Sequence, residues 1–361
     1  MSIENTDFRE EALDLENPYD VKMIKGFLEP FGFEYNPNEV DYTMIMYNLN
    51  DQIIGTGSFK KRTLKYVIVA PNFKGTTAFA QIVTHLMDIV LQKHKHIFVF
   101  TRPETSVLFE GLGFNKIADA PPLFSSLEFG FDSVKTYVNY LKAEKLDLPA
   151  KEIASIVVNC NPFTNGHKFL IEKAASENDI VYLFVVEEEK SLFPFQLRWN
   201  LIKKGTAHLK NVKMIRGGDY IVSGNIFPSY FLKKENRSDI LEKQAELDVN
   251  IFAKYFVPIL GINRRYVGTE VYCQTTAAYN KAMKKILPHA GVEVVEINRK
   301  AIGKDDKGDP NFISASKVRK AIQNDKLEVI LEFLPEPTRE FLLSNESLDI
   351  REKIKISDSR H

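Results

Sequence analysis

The sequence predicts an α/β chain in two parts: an α+β front domain, then an open, mainly parallel sheet with helices around it. Three observations carry this. The chain has 361 residues, more than a single hydrophobic core ordinarily serves. Between residues 42 and 69 three short β-like runs follow one another with turn residues between them, and an amphipathic helical pattern comes next. From residue 153 onward, apolar strands alternate with helical segments across short links, which is the grammar of a parallel sheet.

Residues 1–40 are mostly polar, with helical spacing over Asp20–Leu28. The runs Tyr42–Asn48, Ile53–Lys60 and Thr63–Val69 read as an antiparallel meander, with Asn50-Asp51 and Lys61-Arg62 at its turns. Pro71–Gly75 ends it. Thr77–Gln92 reads as a helix with Phe79, Ile82, Val83, Leu86, Ile89 and Val90 on one side. A strand at Ile97–Thr101 and a short helix at Thr105–Glu110 lead into Gly111-Leu112-Gly113-Phe114. Asp132–Leu146 is helix-like and charged, and Pro149 marks a boundary after it. The expected domains are 1–146 and 147–344, with a charged, frayed tail at 345–361. In the second domain Ile153–Asn159 is an unbroken apolar run, as buried parallel strands are. Further strands are expected at Ile180–Val186, Val212–Ile215, Arg265–Val267 and Val292–Ile297, and helices at His167–Ser176 and Phe195–Leu209.

Composition narrows the function. Formal net charge is zero, so no global field draws nucleic acid or an anionic membrane, and neither is an expected partner. The N-terminal stretch is acidic and lacks the apolar core of a signal peptide, and no apolar run reaches about 18 residues; a cytoplasmic protein is expected. Two cysteines make no disulfide framework, and Cys160 reads as a buried structural thiol. His94 and His96 flank Lys95 before a strand with no evident carboxylate partner, and no metal site is expected.

Two short stretches carry chemistry. In Asn161-Pro162-Phe163-Thr164-Asn165-Gly166-His167-Lys168, Thr164 or Asn165 can cap a helix and Gly166 lets a ligand approach the backbone. His167 and Lys168 then put cations in the first turn, against the helix dipole, unless an anion binds there. Ser314-Ala315-Ser316-Lys317-Val318-Arg319-Lys320 repeats the pattern. Ser314 can cap, and Lys317 stands where a capping box would hold Glu or Gln. Hydroxyls and cations at two helix starts suit a polyphosphate.

The front domain, with Val69–Gly75 and Phe109-Glu110-Gly111-Leu112-Gly113-Phe114, resembles the GNAT N-acetyltransferases. Thr77 replaces that family's second loop glycine, so an acetyl-transferring role is not expected to survive. The strand–Pro-Phe-Thr-Asn-Gly-His run plus Ile-Ser-x-Ser-x-x-Arg resembles the nucleotidylyltransferase superfamily, whose domain is Rossmann-like. With Phe193–Arg198 and Thr206–Val212 downstream, the Thr variant looks like phosphopantetheine adenylyltransferase. Adding the front domain, Phe227–Phe231, Tyr266–Glu270, Thr276 and Tyr279-Asn280, nearly the whole chain resembles the citrate lyase ligase family.

That resemblance implies a carbon–sulfur ligase. It would activate acetate with ATP and acetylate the CoA-derived thiol arm on the citrate lyase acyl carrier subunit, releasing AMP and diphosphate. His167, Thr164 and Lys190 would be catalytic, with His167 and Thr164 at the α-phosphate and Lys190 bridging it to the acid. Ser314, Ser316, Lys317 and Arg319 would hold the distal phosphates. Asn161, Pro162, Phe163, Gly166, Lys168, Gly268, Thr269 and Glu270 would complete the ATP site, and Mg²⁺ would travel with ATP. The alternatives are a phosphopantetheine-type adenylyltransferase, a GNAT-type acetyltransferase and an ATP-sensing scaffold.

Overall fold

Strand β2 (Tyr42–Tyr47) alternates two kinds of apolar side chain, and both faces are covered. Met44 and Met46 face one core; Ile45 and Tyr47 face another. The computed structural model describes residues 8–187, 191–221, 235–269, 274–298, 301–304, 310–312 and 314–357. They fall into two compact units, Met1–Tyr137 with Ile226–Asn250, and Val138–Asn225 with Ile251–His361.

The first unit is built on a seven-stranded sheet. β1 (Arg9–Ala12) and α1 (Pro18–Leu28) precede β2; β3 (Ile53–Lys60) and β4 (Thr63–Val69) complete the expected meander. Helix α2 (Ala78–Leu91) buries Ala78, Ile82, Val83, Leu86 and Val90 on β3. A glycine permits that approach: a Cβ at Gly57 would lie 2.6 Å from Ile82 Cγ2. β5 (His96–Thr101), α3 (Pro103–Glu110), β6 (Asn115–Ala120) and β7 (Phe124–Gly130) finish the sheet, in the order β1-β2-β3-β4-β5-β7-β6. The β6–β7 hairpin lies in a stretch where no strand was expected. β4 and β5 run parallel but pair only at Thr63↔Phe98 and Leu64↔Val99. This is the order of elements expected of an acetyltransferase-like α+β front domain. His96 is buried and does have a carboxylate partner, Glu128 at 3.0 Å, supplied by β7. α4 (Val134–Glu144) follows.

The second unit is an open sheet of five strands, all parallel, in the order β10-β9-β8-β11-β12. β8 (Ile153–Val158), α5 (Asn165–Glu177), β9 (Ile180–Val185), α6 (Phe195–Gly205) and β10 (Val212–Arg216) come in turn. α6 stops at Gly205, four residues short of expectation, where Thr206 caps it. α7 (Arg237–Ile251), unforeseen in the sequence, contributes its residues up to Asn250 to the first unit. α8 (Val257–Leu260), β11 (Arg264–Gly268), α9 (Gln274–Ile286) and β12 (Glu293–Ile297) follow. A small hairpin of β13 (Ala301–Lys304) and β14 (Pro310–Phe312) leads to α10 (Ala315–Gln323), α11 (Glu336–Leu343) and α12 (Leu348–Ile356). α12 corrects the expectation of a frayed tail. Ile354 is buried with Val318, Ile322 and Leu342, so the segment gains more from apolar burial than its charged residues suggest.

The sheet has a topological switch point. β8 pairs with β9 over six residues, Ile153↔Ile180 to Val158↔Val185. Against β11 it pairs only at Ala154 and Ser155, and beyond these the ladder stops. Ligands of open α/β sheets bind at the carboxyl ends of strands flanking such a point. No helix among the described residues is long and apolar enough to cross a membrane.

Candidate functional site

The chain leaves β8 at the switch point and turns sharply. Cys160 takes a positive φ of 53°, the Asn161–Pro162 bond is cis, and α5 starts at Asn165 with Thr164 as its N-cap. The turn is anchored from below. Phe163 is fully buried, packed against Gly205 at the end of α6, and its carbonyl accepts from Thr338 Oγ1 at 2.9 Å. Cys160 is buried in the same core, and burial pushes its thiol well above the ordinary range. It is structural, as expected.

Thr164 and His167 form one device. The Thr164 backbone N–H donates to His167 Nδ1 at 3.1 Å, and Thr164 Oγ1 lies 2.9 Å from the same nitrogen. An N–H can only donate, so Nδ1 is an acceptor and the neutral ring carries its proton on Nε2. His167 thus takes the place that Glu or Gln fills in a capping box. The imidazole is held as a donor at a helix N-terminus, where anions are favoured.

The second motif meets the first. α10 begins with Ser314 Oγ accepting from the Lys317 backbone N–H at 3.2 Å, and Ser316 Oγ lies 2.9 Å from Ser314 Oγ. One turn on, Arg319 Nη1 donates to the Asn161 carbonyl, across 158 positions of sequence. Burial lowers the pKa of the Arg319 guanidinium, so a bound anion would relieve a desolvation cost already present. Asn161, Thr164, His167, Ser314, Ser316 and Arg319 therefore belong to one neighbourhood.

The remaining expected positions sort differently. The Asn161 side chain is taken up by the Phe193 backbone N–H, 3.0 Å from Oδ1. Pro162 and Phe163 are buried and support the turn rather than line a surface. Gly166 is exposed, and Lys168 Nζ lies 3.7 Å from Glu172, beside His208. Lys317 is exposed at the start of α10. Gly268 ends β11, its carbonyl accepting from Asn280 Nδ2 at 3.0 Å, and the Thr269 backbone N–H donates to the Ile297 carbonyl. Lys190, Glu270 and Phe227–Phe231 lie outside the described residues.

Arg198 entered the sequence analysis only as the end of the Phe193–Arg198 stretch, with no role of its own. Its side chain is fully buried. Nε donates to the Phe193 carbonyl at 2.9 Å, and Nη1 to the carbonyls of Asn159 at 2.7 Å and Val186 at 2.9 Å. It ties the carboxyl ends of β8 and β9 to the segment before α6. A signal was present: Arg198, Leu201, Ile202 and Gly205 form the buried stripe of α6, and an arginine within such a stripe must be satisfied internally.

The family model described as the citrate lyase ligase C-terminal domain matches residues 153–342, just over half of the chain. The [citrate [pro-3S]-lyase] ligase of Haemophilus influenzae is 34% identical over 328 residues, 89% of this chain and 95% of its own length. The chain belongs to the citrate lyase ligase family. The family's member in Escherichia coli strain K12 is 33% identical over 85% of the chain and 87% of its own length. A phosphopantetheine adenylyltransferase of Corynebacterium efficiens is 25% identical over only 38% of this chain. The family match thus spans both units, whereas the adenylyltransferase likeness covers a minority of the chain.

Proposed function

We propose that the protein activates acetate with ATP as acetyl-adenylate. It then transfers the acetyl group to the thiol arm of the citrate lyase acyl carrier subunit. Membership of the ligase family supports this, and one geometric observation carries it: Arg319 of the second motif reaches the Asn161 carbonyl in the turn that presents His167. That contact links two helix starts whose hydroxyls and cations suit a polyphosphate, beside the carboxyl end of β8.

In the first step an acetate oxygen bonds to the α-phosphorus as the bond to the bridging oxygen breaks, and diphosphate leaves with that electron pair. His167 Nε2–H donates to an α-phosphate oxygen, where charge shifts in the transition state. Thr164 sets the tautomer that makes this possible. Ser314, Ser316, Lys317 and Arg319 take the distal phosphates, and Lys190 bridges the α-phosphate and the acid. Gly268, Thr269 and Glu270 adjoin the nucleotide, and Mg²⁺ enters with ATP, since it binds phosphates and keeps its waters. In the second step the carrier thiolate attacks the acyl carbonyl, and AMP leaves with the electron pair of the broken C–O bond.

The test is acetate-dependent exchange of diphosphate into ATP by wild type and His167→Ala. The variant is expected to lose about 10²–10³ in kcat, the cost of one preorganised donor at developing charge. Unimpaired exchange in the variant would remove His167 from the reaction. Exchange supported by a phosphopantetheine acceptor and not by acetate would favour the adenylyltransferase alternative.

A further inference from the structure

The carboxyl end of β8 carries one polar side chain that neither motif accounts for. Asn159 follows the last residue of the strand and is half-buried. Its carboxamide meets Ser191, which stands beyond the end of β9. Nδ2 donates to Ser191 Oγ at 3.2 Å, and Oγ donates to Oδ1 at 3.2 Å. The hydroxyl bond is long beside the ~2.7–2.8 Å usual for an O–H donor. Ser191 is nearly buried, so the pair is approached from the Asn159 side.

The backbone under this pair is held firmly. Arg198 grips the carbonyls of Asn159, Val186 and Phe193, and so fixes the separation of the two strand ends the pair spans. A carboxamide and a hydroxyl are neutral donors on a rigid base at the carboxyl ends of β8 and β9, and Asn159 lies on the segment that leads into the His167 turn. That chemistry suits a carboxylate which has to react. Two neutral donors orient one oxygen and leave the other nucleophilic.

We infer that Asn159 and Ser191 receive the carboxylate of the acid substrate. Asn159 Nδ2–H and Ser191 Oγ–H exchange their mutual bonds for one carboxylate oxygen, and the second oxygen attacks the α-phosphorus. Arg198 is a positioning residue for this subsite. The assignment rests on the acid-activating reading above.

The experiment compares wild type, Ser191→Ala and Asn159→Ala in acetate-dependent ATP–diphosphate exchange, with ATP affinity measured separately by calorimetry. Loss of a hydrogen bond to a charged group predicts an acetate KM raised about tenfold or more in each variant, with the ATP Kd within about twofold of wild type. An acetate KM unchanged in both variants overturns the subsite, and so does an ATP affinity that falls in step with the acetate KM. If Asn159→Ala does not fold, the smaller change Ser191→Ala decides alone. Wild type that shows no acetate-dependent exchange would refute the acid-activating reading itself, a result distinct from the failure of the subsite.

Discussion

His167 was conspicuous in the sequence because a cation at a helix start is misplaced. The structure changes the reason. As an acceptor from the Thr164 backbone N–H, the ring is neutral and serves as the capping partner, so His167 itself does not oppose the dipole. What persists is a fixed donor at Nε2. Arg319 is the complementary residue, a cation whose burial lowers its pKa and which spans the two motifs. Arg319→Ala is expected to raise the Kd for ATP by about ten- to a hundredfold, read by calorimetry, because it removes a charge-assisted contact and loosens the Asn161 turn. Cys160 stands directly before Asn161 in sequence, yet it is buried in the core as a structural thiol. With its thiol held protonated by burial, iodoacetamide at pH 8 should leave Cys160 unlabelled in the native protein and label it in urea, as read by peptide mass spectrometry.

At the level of elements, the site depends on how helices approach the turn. α6 ends in Gly205, and a Cβ there would overlap the Phe163 ring, which has nowhere to move in the core. Gly205→Ala should cost about 1–3 kcal/mol in urea unfolding by overpacking and should also weaken ATP binding, because Phe163 carries the turn. The C-terminal helices act on the same turn: Thr338 of α11 holds the Phe163 carbonyl, and Asn165 Nδ2 donates to the Glu332 carbonyl. Here the sequence was a partial guide. Strands with clean apolar runs, such as β8, β9 and the meander β2–β4, were legible because burial on a pleat leaves a pattern of period one or two. The hairpin β6–β7 was not. NKIADA and FSSLEFG mix charged and small residues, and their strand character comes from pairing with each other and with β5. α12 was misread as a tail for the same reason, its apolar stripe being short and its anchorage on α10 non-local.

On the scale of the molecule, each unit has its own core, and the chain returns to the first unit late. The segment around α7 belongs there, with Asn250 Nδ2 donating to the Asp119 carbonyl at 2.9 Å and Arg102 paired with Glu235 at 2.9 Å. A fragment cut at the boundary expected from the sequence, residues 147–361, would keep α7 without its partner sheet. Ala245, Leu247 and Val249 are buried in the intact protein. The fragment is expected to melt at least about 5 °C below the full-length chain or to aggregate with concentration, as checked by calorimetry and light scattering. An isolated second half as stable as the whole would show that α7 contributes nothing to the fold.

By itself the sequence determined the two kinds of sheet, the turn at Thr164–His167, the cap at Ser314 and, through their combination with the front domain, the family. These are local: periodicity and capping chemistry are written within a few residues of where they act. Only the tertiary structure decided that Arg319 meets Asn161, that buried Arg198 clamps the ends of β8 and β9, and that α7 joins the first unit. Each of these depends on which carbonyls and which faces are left unsatisfied once the strands have paired, and that inventory does not exist until the chain is folded.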